Sequence, residues 1–476
     1  MAQRPGVEVT GGPRRAAWLP RAAHPVSWGM LAITTLAILI TSVDAQILPT
    51  VLPGILSDFH LSTVEGGILN SIYSAGVVAG AIVFGVLSDV LGTGYRRGYT
   101  WIVAELIVII GGVFTWAFAG FYGAFRWLRF PMGVSRGGSE PTNVALIGEW
   151  WQQENRGFAV GAHHTGFPIG QFVGPALMAA VLAVATWRQV YLLIPLIGIP
   201  IVVAQLLVGT RRNQERVYAW MRERDLTPPL QQITQSTQAR NPLTVMVRAF
   251  RDRNTALSVT MNFLFLWAEL GVATFLTVYL TRKVGMPLAE AAVVSGASGI
   301  TGWIGQVVWG TVSDRIGRKT CLRIISAGWT VSVLLMIAIN SAASAWLILL
   351  FWGCFRNSPY PVTYSLLIDS VKESAGSGMG LMIGISLGIA GFLVAPVAGY
   401  FIQTWGFTAD YVMLACAAAL TYVPMFFLRE TVPSGGAGAP RAATSRAERP
   451  GPPSRARPHA PRRDSSTRCC RIAASR

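Results

Sequence analysis

Seven side chains that ionise in water lie inside apolar stretches: Asp44, Arg129, Arg136, Glu140, His163, Glu269 and Arg356. A charge at bilayer depth costs on the order of 3 kcal/mol or more unless it faces protein or a wet cavity, so each marks a candidate site. Asp44, in TSVDAQILP, is the only acid of its run and has no basic residue within one helical turn. A carboxylate withdrawn from water can load and release a proton near neutral pH, which makes Asp44 a candidate proton carrier. Glu269, in LWAELG, has the same rationale. The competing reading of each is a structural acid held by an arginine from another helix.

Arg129, Gly133, Arg136 and Glu140 follow one another at steps of four, three and four, which places them in one stripe down a helix, with Arg126 near its outer end. The arginines suit an anionic ligand and Glu140 a proton; the alternative is a structural Arg136/Glu140 pair with Arg129 fixing the packing. Arg356 lies in GCFRNSPYP, where Pro359 and Pro361 should kink or break a helix. Broken helices at mid-membrane often flank ligand sites, so Arg356 is a second cationic contact, with the Tyr360 and Tyr364 hydroxyls beside it. His163 and His164 are adjacent and point about 100° apart on a helix, so at most one faces a cavity. His163 is a proton-relay candidate, balanced against a packing role. Glu105 reads as an acid pairing with a basic loop residue.

The elements that position these residues are apolar runs of about 20 residues, the length a helix needs to cross a bilayer core. The chain has 476 residues, 52% of them hydrophobic and 13% charged, with mean hydropathy +0.46. It is therefore an all-α integral membrane protein rather than a soluble globule. The net charge of +17 is peripheral: +8 falls in residues 431–476 and +3 in residues 1–26. That pattern fits flanks beside an anionic leaflet and argues against nucleic acid. Five cysteines form neither a disulfide framework nor a metal-ligand spacing. No phosphate-binding glycine loop or nucleophile–base spacing suggests an enzyme, and no cofactor is expected.

Twelve helices are expected, six on either side of a linker: a bundle over 27–209, a cytosolic linker over 210–253, and a bundle over 254–430. Residues 1–26 form a cytosolic N-terminal segment, and residues 431–476 a basic tail too poor in apolar residues to fold. The linker reads as a solvated connector carrying one amphipathic piece. Basic residues concentrate in the loops on one side, which by the positive-inside rule puts both termini in the cytosol.

One loop is written twice. GVLSDVLGTGYRR (Gly85–Arg97) and GTVSDRIGRK (Gly310–Lys319) share Gly, two residues, Ser-Asp, two residues, Gly and a basic pair. Asp89 and Asp314 are 225 positions apart, as are Asp44 and Glu269, while Arg129 and Arg356 are 227 apart. These offsets indicate two homologous halves.

Two such loops, twelve helices and a central linker resemble the major facilitator superfamily over about residues 27–430. RFPMGVSRGG, Pro141, EWWQQENRG and WRQVYLLIP are similar to segments of its metabolite:proton and anion:cation symporters. In that family the loop's Asp and basic residues latch neighbouring helix ends, which implies gating roles for Asp89, Arg96, Asp314, Arg315 and Arg318. Val90 stands where the pattern has an arginine, so the first copy is incomplete. The resemblance implies a monomeric transporter of the inner or plasma membrane. It would take up a small organic anion of carboxylate type with protons by alternating access, through Arg126, Arg129, Arg136, Arg356 and Tyr360 for the anion and Asp44, Glu140, Glu269 and His163 for the proton. A proton-driven efflux antiporter for lipophilic compounds, or a sugar transporter, fits the same helix pattern.

Overall fold

A computed structural model describes residues 23–152, 156–226, 251–370 and 384–431, and among them every regular element is a helix. Ten helical stretches are long and apolar enough to cross a membrane, beginning with α1 (Pro25–Asp58), α2 (Thr63–Leu91) and α3 (Tyr95–Ala117). Two others fall short for physical reasons. α4 (Tyr122–Trp150) carries Arg126, Arg129, Arg136, Glu140 and Glu149. The expected tenth helix is interrupted.

Local chemistry sets the boundaries. Ser62 and Glu65 form a reciprocal capping box at the start of α2. The loops that are repeated in sequence end their helices alike: Gly92 and Gly317 take φ of +111° and +93°, a region glycine enters without a Cβ clash. α5 (Arg156–His164) and α6 (Gly166–Leu182) form one bent rod, as do α7 (Trp187–Leu196) and α8 (Gly198–Val208). α9 (Arg211–Arg222) is the amphipathic piece expected in the linker; it buries Gln214, Val217 and Met221 and turns its arginines outward.

The second half follows with α10 (Arg253–Arg282), α11 (Leu288–Ser295), α12 (Ala297–Ile316) and α13 (Arg318–Leu335). α14 (Ala342–Arg356) stops just before Pro359, where α15 (Pro359–Ser370) begins. Proline fits the first turn of a new helix but not the interior of an old one, so the break follows from PYP. A short π-helix (Gly384–Ile389) leads into α16 (Ala390–Trp405), and α17 (Phe407–Leu420) and α18 (Tyr422–Phe427) complete the described chain. Residues 1–22, 153–155, 227–250, 371–383 and 432–476 lie outside the described residues, and with them the N-terminal segment, most of the expected linker and the basic tail.

Two of the cores are confined to one half each, while a third packs Phe275, Val278, Ala398 and Ile402 of the second half against Val43, Ile47 and Leu69 of the first. One cluster is built from residues 261–428 around Phe265, Trp329 and Trp352, another from residues 30–221 around Trp101, Trp150 and Trp151. Apolar side chains also cover the outside, with Leu207 and Leu347 each 71% exposed, as lipid-facing residues must be. The halves meet where small residues let backbones close in. A Cβ on Gly299 would lie 2.7 Å from Phe172 N and Pro168 O, so α12 touches α6 directly. α2 meets α16 the same way: Thr63 Oγ1 donates to Gly399 O at 2.7 Å.

Candidate functional site

A cavity of about 70 Å³ lies between the halves, walled by α1, α2, α4 and α6 on one side and by α10 and the end of α14 on the other. Its polar wall holds Asn70, Tyr73, Arg136, Gln171, Glu269 and Arg356. The space is far below the several hundred Å³ of a ligand pocket, so the transport path is contracted here.

Glu269 is the hub. Its Oε1 accepts from Arg356 Nε at 2.9 Å and from Gln171 Nε2 at 3.3 Å. Its Oε2 accepts a short hydrogen bond from the Tyr360 hydroxyl. Arg356 Nη1 also donates to Ser298 Oγ at 2.8 Å, and Asn357 Nδ2 donates to Gln171 Oε1 at 3.0 Å. Glu269 and Arg356 are 5% and 4% exposed, which a buried ion pair tolerates when further hydrogen bonds fill its remaining donor and acceptor positions. The break at Asn357 is what brings Arg356, Asn357 and Tyr360 together: the end of α14 and the start of α15 converge on one carboxylate. Gln171 belongs to the first half, so the network also ties the halves to each other.

A second, smaller cavity of about 10 Å³ lies deeper in the first half, lined by Asp44, Glu105, Tyr73, Ser135, Thr41 and Arg136. It has room for about one water. Tyr73 and Arg136 border both cavities. Asp44 Oδ1 is shielded from solvent without a hydrogen-bond partner. Arg136 forms no ion pair within 4.0 Å among the described residues, and its guanidinium lies 5.6 Å from the Phe167 ring centroid.

Other expected site residues are placed elsewhere. Arg129 lies off both cavities, 1% exposed, with its guanidinium 4.3 Å from the Tyr191 ring centroid and 5.1 Å from that of Phe125. Its Nη2 donates to Thr115 Oγ1 at 3.3 Å, and no carboxylate lies within 4.0 Å of it among the described residues. Arg126 packs over Trp127. Glu140 falls within electrostatic reach of His164 and Tyr364 rather than on a cavity wall. His163 is buried with its ring 5.2 Å from that of His164.

At the repeated loops, Asp314 pairs with Arg318 at 2.6 Å, and Arg318 Nη1 donates to Ser313 Oγ at 2.7 Å. In the first copy Arg97, not Arg96, takes that place. It donates to Ser88 and pairs with Glu149 at 2.9 Å, while Glu149 also accepts from Gly94 N at 2.6 Å. Arg96 and Arg315 are exposed, and Arg96 packs on Tyr95. The side chain of Asp89 lies outside the described residues.

Sequence reasoning missed Gln171 and Asn357 and read Glu105 as an acid pairing with a basic loop residue, whereas it lines the smaller cavity beside Asp44. The signal for Gln171 was a lone amide between Gly170 and Gly174 in an apolar run.

Comparison with known proteins matches this geometry to a class. The sequence profile of the Major Facilitator Superfamily matches residues 34–393 and, in an overlapping second match, 258–464. The chain belongs to that superfamily, a multi-pass membrane transporter and not an enzyme. It is 26% identical over 392 residues to a probable sulfoacetate transporter of Cupriavidus necator, covering 79% of this chain and 87% of that one. It is 25% identical over 399 residues to the cis,cis-muconate transport protein of Acinetobacter baylyi, covering 83% and 92%. Among solved structures it superposes on a D-xylose-proton symporter with a TM-score of 0.65 at 17% identity, covering 85% of this chain and 98% of that one. That likeness concerns the fold.

Proposed function

We propose that this chain takes up a small organic anion of carboxylate or sulfonate type together with protons, by alternating access between bundles 27–209 and 254–430. The observation that carries the reading is Arg136. Among the described residues it is a half-buried cation without a paired carboxylate, at the wall shared by the central cavity and the Asp44 cavity. A guanidinium in low dielectric binds carboxylate or sulfonate through charge-assisted hydrogen bonds. The probable sulfoacetate transporter and the cis,cis-muconate transport protein among its relatives are named for anions of this kind.

Coupling follows from charge. Asp44 next to Arg136 competes with an arriving anion for the same guanidinium; a proton on Asp44 removes the competitor, so anion and proton favour each other's binding. The network of Gln171, Glu269, Arg356 and Asn357 is the clamp. While it holds, the halves stay closed at mid-membrane, and opening requires Gln171 to leave its partners in the second half. Loop charge assigns both termini to the cytosol, so the closure of α2 on α16 near Thr63 lies on the outer side and the described state is sealed from outside. The protein would work as a monomer in the bacterial inner membrane or its equivalent.

The test is uptake into proteoliposomes of labelled monocarboxylates, dicarboxylates and sulfonates, with xylose as the neutral control, with and without an inward proton gradient. One acid accumulates only with the gradient, and Arg136→Gln raises its half-saturation concentration at least tenfold. Accumulation of xylose with no acid transported would replace the anion reading with sugar symport.

A further inference from the structure

We propose that Glu105 is a second proton-carrying group, sharing with Asp44 the proton that is exchanged across Arg136. The inference rests on the symport reading and identifies a residue within it.

The two carboxyls come from different helices, α1 and α3, and meet at the same cavity of about 10 Å³. Glu105 is 2% exposed, and its Oε1 has no hydrogen-bond partner, the same state as Asp44 Oδ1. Among the described residues, the elements around Glu105 supply one counter-charge between them. α1 offers Asp44, α2 offers Tyr73 and α4 offers Arg136. α7 offers Tyr191, which does not line the cavity and lies against Arg129, whose Nη2 donates to Met132 Sδ at 2.6 Å. α8 presents Gly198, whose Cα faces Glu105 Oε1. One cation therefore stands against two carboxyls within mutual electrostatic reach.

Two carboxylates and one guanidinium in a dry space sum to minus one, and a single shared proton brings the group to neutrality. An anion that binds Arg136 restores the negative charge and draws in a further proton, which the second carboxyl receives: an O–H bond forms there, and the proton comes from the side to which the cavity opens. Asp44 alone has no place for it once it is already protonated. Glu105 gives the site that capacity.

The experiment measures gradient-driven accumulation of the transported anion against pH in proteoliposomes for wild type, Glu105→Gln, Glu105→Asp, Asp44→Asn and the double variant Asp44→Asn/Glu105→Gln. Counterflow exchange without a gradient reports that each variant is folded. Removing the like charge of Glu105 makes Asp44 harder to protonate, so the midpoint for Glu105→Gln moves about one unit toward acid. Glu105→Asp, which keeps the charge, stays at the wild-type midpoint. Asp44→Asn keeps partial accumulation, and the double variant exchanges but does not accumulate. As a second readout, proton uptake on anion addition to the detergent-solubilised protein, followed with a pH dye, falls in Glu105→Gln. An unmoved midpoint with undiminished proton uptake, or a double variant that still accumulates, overturns the assignment while leaving symport intact. Wild type that accumulates no anion under any gradient overturns both.

Discussion

Asp44 and Glu269 occupy the same register in the two halves, 225 positions apart, yet one is held by three donors and the other leaves an oxygen without any. The contrast separates two jobs that a repeated fold begins by duplicating. A carboxylate carrying Arg356, Gln171 and Tyr360 cannot change its proton without disturbing the joint between the halves. A carboxylate with an open oxygen can change its proton while the framework stays put. On the proposed function the second half supplies the clamp and the first half the proton site, and Arg136, on the wall of both cavities, is where they meet.

Breaking the clamp has the largest expected effect. Glu269→Ala leaves Arg356 buried and unpaired, a loss of about 3–5 kcal/mol, seen as a lower melting temperature in detergent by tryptophan fluorescence. Glu269→Gln combined with Arg356→Met recovers most of it, because neutral replacement of both partners removes the uncompensated charge. Asp44→Asn breaks no hydrogen bond at Oδ1 and shifts stability by under about 1 kcal/mol, while gradient-driven accumulation falls. Equal destabilisation by the two acid substitutions would erase the division of labour.

A smaller effect tests the clamp where it crosses the halves. Gln171→Ala removes the bonds to Glu269 and Asn357 and leaves the Asn357 amide unsatisfied, for about 2 kcal/mol. The closed state loses that amount relative to an open one. A cysteine introduced at Ala45 on the cavity wall then labels faster with a small water-soluble maleimide than in the Gln171-containing background.

The helices were legible because membrane spans are written in hydropathy and loop charge, both local properties. The proline break beside Arg356 was legible for the same reason: it depends on PYP and on nothing distant. The candidate charges were legible one at a time, since any charge in an apolar run stands out. Their partners were not. That Glu269 meets Arg356 and Gln171, or that Arg129 turns into a cage of Tyr191 and Phe125, depends on how helices far apart in sequence cross. Periodicity put Arg129 and Arg136 on one stripe, but seven residues are about 10 Å of travel along a helix, which separates an aromatic packing site from a cavity wall. Glu105 was read as pairing with a loop residue because what sets it apart is the proximity of Asp44, 61 positions earlier.

The two copies of the repeated loop extend the comparison to the membrane surface, with the smallest expected effects. Both place an arginine on the serine of their Ser-Asp pair, Arg97 on Ser88 and Arg318 on Ser313. Three extra residues, Thr93 to Tyr95, carry the first copy past Arg96 and deliver Arg97 to a carboxylate of a different helix, Glu149, which is 1% exposed. The second copy pairs Arg318 with Asp314, whose side chain is 62% exposed and lies one turn away on the preceding helix. Water and salt screen the second pair. Each loop's backbone is also held by a distant carboxylate, Gly94 N by Glu149 in the first and Arg318 N and Lys319 N by Glu430 in the second, but in the first loop that carboxylate is the arginine's own buried partner. Glu149→Gln therefore costs about 1.5 kcal/mol and Asp314→Asn under about 1 kcal/mol. Raising the salt concentration narrows the gap between wild type and Asp314→Asn but leaves that of Glu149→Gln in place. The same melting measurement at low and high salt separates them: if both gaps close together, the insertion that carries Arg97 to Glu149 has not given the first loop a buried latch.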